Sequence, residues 1–322
     1  MWGSNRTMIN EFILLGFTNQ PTLQRIFIVF LFLFFLSIYL ITLVGNMVII
    51  LVIRADPQLY TPMYFFLINL SFLDICFSSV TVPKMLQNLL ATKKTISLCG
   101  CIAQVFFFIF MFGTEIFLLS AMAYDRYAAI CYPLRYSTII NHRLCIQMVL
   151  AAWLSIIYST LHTLNILFLP FCGPNNIGQI FCELTHTLKL VCANTYGNEM
   201  AIFICAIIFG IIFSSSVIVS YVRIILTIKK IPSAQGRHKA FSTCFPHLAV
   251  FSLFMSTGML TYLKKNSESS ITEILASLLY SIVSPVANPV IYSLRNKEIK
   301  TALEKLINKI FYYRKLFSIK SC

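Results

Sequence analysis

MAYDRYAAIC, residues 122–131, places Asp125 and Arg126 side by side at the end of an apolar run that begins near Ile102. Charges on a lipid-embedded helix are costly unless they pair or reach water, so this pair points to function rather than packing. The reading requires the rest of the chain to be built for a membrane.

The composition is that of a membrane protein. The 322 residues are 58% hydrophobic and 11% charged, against about 25% charged in a soluble domain. Apolar runs of spanning length, about 20 residues, recur at 26–53, 61–90, 97–130, 144–168, 199–228, 241–262 and 271–294. These runs predict an all-α membrane protein, a seven-transmembrane helix bundle. Residues 1–25 are expected as an extracellular N-terminus, 26–294 as the transmembrane domain and 295–322 as a cytosolic amphipathic helix and tail. The first 24 residues lack a basic region followed by an apolar core, so no cleaved signal peptide is expected.

The net charge of +14 would suggest nucleic-acid binding in a soluble chain. Here the positive residues lie between apolar spans. With the C-terminus inside, 17 Lys and Arg fall on the inner side and 8 on the outer side. That bias orients the chain N-terminus out, C-terminus cytosolic. The sequon Asn5-Arg6-Thr7 then falls outside, making Asn5 a glycosylation candidate.

Eleven cysteines divide along the same line. Cys76, Cys145, Cys205 and Cys244 sit in spans, where a thiol acts as a small apolar group. Cys131 and Cys322 lie inside, in reducing conditions. Cys99, Cys101, Cys172, Cys182 and Cys192 lie outside, and sequence alone does not give their connectivity. Cys182, Glu183 and His186 together could ligate a metal, but in an oxidising loop disulfide formation is the stronger expectation.

Two acids lie in mid-span, Asp74 and Glu115. A charge at that depth costs about 3 kcal/mol on insertion scales, so both are expected to face the interior. Residues 108, 115 and 126 are separated by close to whole helical turns, so Phe108, Glu115 and Arg126 form one stripe down the third span. Two neighbouring carboxylates need a shared proton or a counter-charge, and no Lys or Arg sits at matching depth. A sodium ion at Asp74 and Glu115 is the expected counter-charge, and no other cofactor is implied. Pro285 and Asn288-Pro289 interrupt the seventh span and read as a hinge. Beyond it Ile299, Leu303, Leu306, Ile307 and Ile310 recur at helical spacing between lysines, an amphipathic helix on the inner membrane face.

These segments resemble the rhodopsin-like G-protein-coupled receptors, and within them the olfactory (odorant) receptors. The resemblance rests on Gly45-Asn46, LYTPMYFFLINLSFLD at 59–74, MAYDRYAAIC, Ser220-Tyr221, KAFSTCFPHL at 239–248 and PVANPVIYSLRN at 285–296. It implies a plasma-membrane receptor whose Arg126 leaves Asp125 on activation to engage a heterotrimeric G protein. Tyr127, Tyr221, Asn288, Pro289 and Tyr292 belong to the same switch. The implied partner is a stimulatory, olfactory-type G protein that raises cyclic AMP. It further implies disulfides Cys101–Cys182 and Cys172–Cys192, leaving Cys99 over, and supports the sodium-linked acids. The chain departs from the family pattern at Pro246, where Ser is usual, at Met255, where an aromatic is common, and at Gln179, where a His serves an outer-loop metal motif.

By family position the ligand pocket should lie among the third, fifth and sixth spans, at Phe108, Ile109, Phe112, Cys205, Phe209, Met255, Met259 and Tyr262. Such a lining is apolar and compliant. With no acid at Phe108, neutral hydrophobic volatile odorants are expected rather than amines. A transporter would need repeated halves and a broken-helix site, and the halves show no repeat. An intramembrane enzyme would need a nucleophile with its base or metal ligands, and neither acid sits in such a motif, so no enzymatic activity is expected.

Overall fold

The computed structural model describes residues 10–15, 24–172, 175–263 and 271–320. Helices form along the apolar runs, with starts set by local capping. Helix α1 spans Gln24–Ala55. Helix α2, Pro62–Leu90, begins on Pro62, whose missing N–H costs nothing in a first turn. Helix α3, Leu98–Cys131, is capped by the Ser97 hydroxyl, which accepts the Gly100 N–H. Helix α4, His142–Leu167, is capped by Asn141 and breaks at Leu154. Helices α5, Tyr196–Lys229, and α6, Ala234–Leu263, follow. Helix α7 comprises Ile271–Leu278 and Ser284–Arg295 joined by a π-turn at Leu279–Val283, and α8 is Lys297–Lys320. Among the described residues, α1 to α5 are long and apolar enough to cross a bilayer, while α6 and α7 carry the shorter apolar stretches His247–Ser256 and Ser281–Ile291.

Helix α3 is the axis of the bundle. Two-thirds of its apolar window is buried, against 11% for α1 and α5, so the latter two present most of their surface to lipid. The π-turn sits one turn before Pro285 and Pro289. Pro289 has no N–H to offer the carbonyl four residues back. The Asn46 amide donates to that carbonyl, Pro285 O, at 3.1 Å. Next to it, a Cβ on Gly45 would come within 2.9 Å of Pro289 Cβ. Gly45 lets α1 approach the proline, and Asn46 restores the hydrogen bond the proline removes.

The outer face holds a three-stranded sheet. Strand β1, Glu11–Leu14, lies between β2, Thr95–Ser97, and β3, Asn176–Ile177, antiparallel to the first and parallel to the second. Phe12 and Leu14 alternate inward and are fully buried. Part of the expected N-terminal tail is therefore packed structure. Disulfides join Cys101 to Cys182 and Cys172 to Cys192, with Cα separations of 5.3 and 5.7 Å, and Cys99 is free. Between them Gln104 donates to Val80 O and accepts the Cys182 N–H, tying α2, α3 and the second outer loop together.

On the inner face α8 docks through buried Ile299 and Ala302. Ile307, read as part of its apolar face, is 41% exposed. The Tyr64 hydroxyl donates to Glu298 at 2.6 Å, and Lys305 reaches Asp56 at 3.1 Å. The Gln58 backbone N–H, and then Lys305, hold the Asp56 carboxyl below its ordinary range. That tether is present above the ordinary carboxylate range and is lost only as pH falls through the lowered value, so it persists at neutral pH.

Candidate functional site

Three regions of the bundle bring together the residues singled out by sequence. The first is the inner end. Arg126 Nε lies 4.0 Å from Asp125 Oδ2, a loose contact. The closer partner of Asp125 is Tyr136, in the short helix Tyr136–Ile139 of the second inner loop, whose hydroxyl donates to Oδ1 at 2.6 Å. Burial and the adjoining Asp125 carboxylate push the Tyr136 phenol far above its ordinary range, so it remains a donor at any physiological pH. Tyr127 turns away from the ion pair and donates to the Tyr132 hydroxyl at 3.3 Å.

Tyr221 lies 2.7 Å from His247 Nδ1 and 3.1 Å from Cys244 O. His247 Nε2 lies 2.9 Å from Leu119 O. A carbonyl only accepts, so Nε2 carries the proton and Nδ1 is an acceptor, and the single Tyr221 hydroxyl proton is shared between Nδ1 and Cys244 O. One buried histidine thereby links α5, α6 and α3. Sequence reading missed both Tyr136 and His247. The available signal for His247 was an imidazole in the apolar run 244–254.

The second region is the midplane. The Asn288 amide donates to Asp74 Oδ2 at 2.8 Å, and Glu115 lies near enough to interact electrostatically with Asp74. Among the described residues, Asp74 Oδ1, Glu115 Oε1 and Asn288 Oδ1 are buried oxygens without a hydrogen-bond partner. Orphaned polar atoms at that depth call for a ligand. Two carboxyl groups and an amide carbonyl form a set of hard oxygens that suits a small hard cation.

The third region is the outer half. A cavity of about 660 Å³ lies among α3, α4 and α5, with Met255 of α6 at its inner wall. Ile109, Phe112, Cys205, Phe209 and Met255 line it, as expected from sequence. Beyond the expected α3, α5 and α6, helix α4 contributes Leu154, Ser155 and Tyr158. Phe254 fills the α6 side, stacking on Phe112 at 5.0 Å. Phe108 does not line the cavity: it packs between Phe77 and Phe181, both at 5.5 Å, on the α2 side of α3. The stripe from Phe108 to Arg126 is real, but its top is core. The backbone positions of Met259, Tyr262 and Tyr292 lie in α6 and α7, while their side chains, and all of Asn5, fall outside the described residues.

Above the cavity a polar clasp closes the loop. The Ser277 hydroxyl of α7 donates to Glu183 Oε1 at 2.8 Å, and His186 Nδ1 lies 3.4 Å from Glu183 Oε2. Cys182 is committed to its disulfide, so the alternative metal site loses its thiol, and no cluster of three His, Cys, Asp or Glu suited to a metal occurs among the described residues.

Comparison with known proteins agrees with the resemblance in the motifs. Residues 35–310 match the family profile described as olfactory receptor. Olfactory receptor 1E16 of Mus musculus is 48% identical over 307 residues, covering 95% of this chain and 96% of that protein. Olfactory receptor 10A7 of Homo sapiens is 48% identical with the same coverage, and olfactory receptor 1 of Rattus norvegicus is 47% identical.

Proposed function

The chain belongs to the olfactory receptor family, and from that premise we propose that it detects small, neutral, hydrophobic volatile molecules and signals through a stimulatory, olfactory-type G protein to raise cyclic AMP. The family is one of multi-pass membrane receptors, not enzymes. The observation that carries the ligand class is the cavity lining. Among the described residues, its lining includes no charged side chain. Of its hydroxyls, Ser155 is already engaged with Phe110 O and Thr114. Such a site binds by apolar contact and offers an amine no counter-charge.

In this reading the inner end is the output. Asp125, held by Tyr136, keeps Arg126 at the helix end, and Tyr221 is held on His247. Activation would release both, freeing Arg126 for the G protein, with Tyr292 and the Pro289 hinge rearranging beside it. Asp74, Glu115 and Asn288 would hold a sodium ion, which supplies positive charge between the two acids. The N-terminus would face outside the plasma membrane, with Asn5 glycosylated. The test is a panel of volatile odorants screened by cyclic AMP reporter in cells expressing the chain, with Arg126→Ala at matched surface expression as control. Activation by primary amines with silence to neutral odorants, or an unchanged response in Arg126→Ala, would overturn the proposal.

A further inference from the structure

Among the described residues, the cavity is covered by the second outer loop and left open along one flank. Above it the second outer loop is pinned by two disulfides and by β1. Phe181, Cys182, Glu183, Leu184 and Leu188 of that loop are each no more than 4% exposed. On its flank the packing is different. From Phe203 to Ser216 no α5 side chain is buried, whereas below this Val217, Tyr221, Ile224 and Ile228 seat the helix firmly. The outer half of α5 therefore packs only partly, touching the bundle through contacts such as Phe213 on Phe117 at 4.4 Å and leaving most of its side chains uncovered.

The lining residues record the opening. Ile211 is 64% exposed and Phe203 43%, while Ile116 and Ile109 at the inner wall are 5% and 8%. The path runs between α4 and α5, where Tyr158 meets Phe209 with ring centroids 6.0 Å apart. Gly210 lies on it, and a Cβ added there would meet nothing within 4 Å. These residues lie within spanning segments, so the open side faces hydrocarbon rather than water.

We infer that the cavity is loaded sideways from the bilayer, through the gap between α4 and α5 at Gly210, by uncharged apolar molecules dissolved in the membrane. The inference rests on the ligand class proposed above. It adds the route, and it makes Gly210 and Ile211 the gate. Apolar solutes concentrate in hydrocarbon by the same transfer free energy that drives their burial. A mouth in the bilayer therefore samples them at higher concentration than one in water, and the apolar exposure of Phe203, Ile207 and Ile211 imposes no desolvation barrier there.

The test uses the full chain in phosphatidylcholine nanodiscs with a free aliphatic diazirine as probe, crosslinked by light and mapped by mass spectrometry. Labelling is expected at both the rim residue Ile211 and the deep residues Phe112 and Met255. In Gly210→Trp, deep labelling after a brief exposure to the probe should fall by about tenfold, the equivalent of about 1.4 kcal/mol added to the entry barrier, with rim labelling kept. Gly210→Ala, which adds one methyl into open space, should label as wild type and controls for folding. Rim-only labelling of the wild type, or undiminished deep labelling in Gly210→Trp, overturns the route. So does equal deep labelling by a phosphatidylcholine carrying the diazirine on its acyl chain, which would make the groove a lipid site. Because the readout is crosslinking, a silent odorant screen would refute the signalling proposal and leave the route standing or falling on its own result.

Discussion

Tyr136→Phe isolates the contact that holds the inner end. Asp125 is 1% exposed and its carboxylate receives the Tyr136 hydroxyl at 2.6 Å, while Arg126 stands off at 4.0 Å. The substitution keeps the ring and deletes only the donor. A hydrogen bond to a charged group contributes about 1.5–3 kcal/mol. Removing it from the resting state alone shifts the resting-to-active equilibrium by that amount, about tenfold for each 1.4 kcal/mol. If the active state holds about 1% of the population at rest, a loss at the lower bound raises it to roughly 10%. The expected result is basal cyclic AMP about tenfold above wild type at equal surface expression, with a smaller odorant-induced increment. Since the Tyr136 phenol is held far above its ordinary pKa range, the wild-type restraint should not weaken up to pH 9. Basal activity unchanged in Tyr136→Phe would refute the reasoning, because Asp125 would then be held by Arg126 alone.

Gly45→Val should reduce surface expression and melting temperature, because its Cβ would press on Pro289 at 2.9 Å; overpacking of this kind costs about 1–3 kcal/mol, measurable by thermal shift of the purified receptor. Cys182→Ser should destabilise more than Cys192→Ser, since the bonds span 81 and 20 residues and chain-entropy estimates give about 4.5 against about 3.3 kcal/mol; equal losses would count against loop closure as the cause. Replacing external sodium with an organic cation should raise basal cyclic AMP in wild type and leave Glu115→Gln unresponsive, and an unresponsive wild type would remove sodium from the midplane. His247→Phe should lower the melting temperature by removing the buried bonds that join α6 to Leu119 O and to the Tyr221 hydroxyl, a net loss of about 0.5–1.5 kcal/mol per bond, since Tyr221 keeps Cys244 O.

What the sequence disclosed follows from which signals are local. Span positions, the inner ion pair and the amphipathic α8 depend on runs and periodicities that one segment carries by itself. The role of Asn46 does not. Its meaning appears only when Pro289, far along the chain, leaves a carbonyl at Pro285 for it to satisfy. Tyr136 and His247 were illegible for the same reason: each acts through a partner on another element, and a lone Tyr in a loop or His in an apolar run carries no pairing information. The strand Glu11–Leu14 is too short for alternation to stand out, and its partners come from two separate outer loops.

The share of α4 in the cavity escaped the sequence for a different reason. A helix with one apolar face declares which side it buries. Outer α5, IFICAIIFGIIF at 202–213, is apolar all round, so periodicity cannot separate a face toward lipid from a face toward the bundle. The family pattern supplied the α3–α5–α6 site instead, and of its six residues with described side chains five line the cavity. Phe108 failed because an inward-facing residue on α3 can turn toward α2 as well as α5, and Phe77 and Phe181 claim it. The same uniform apolarity that hid the face of α5 is what allows that helix to leave most of its outer half uncovered in a membrane. In water so exposed an apolar helix would collapse further onto the bundle, but in lipid its exposed side costs nothing. The cavity persists because the solvent on its open side is hydrocarbon, and that is also the physical reason its mouth lies there.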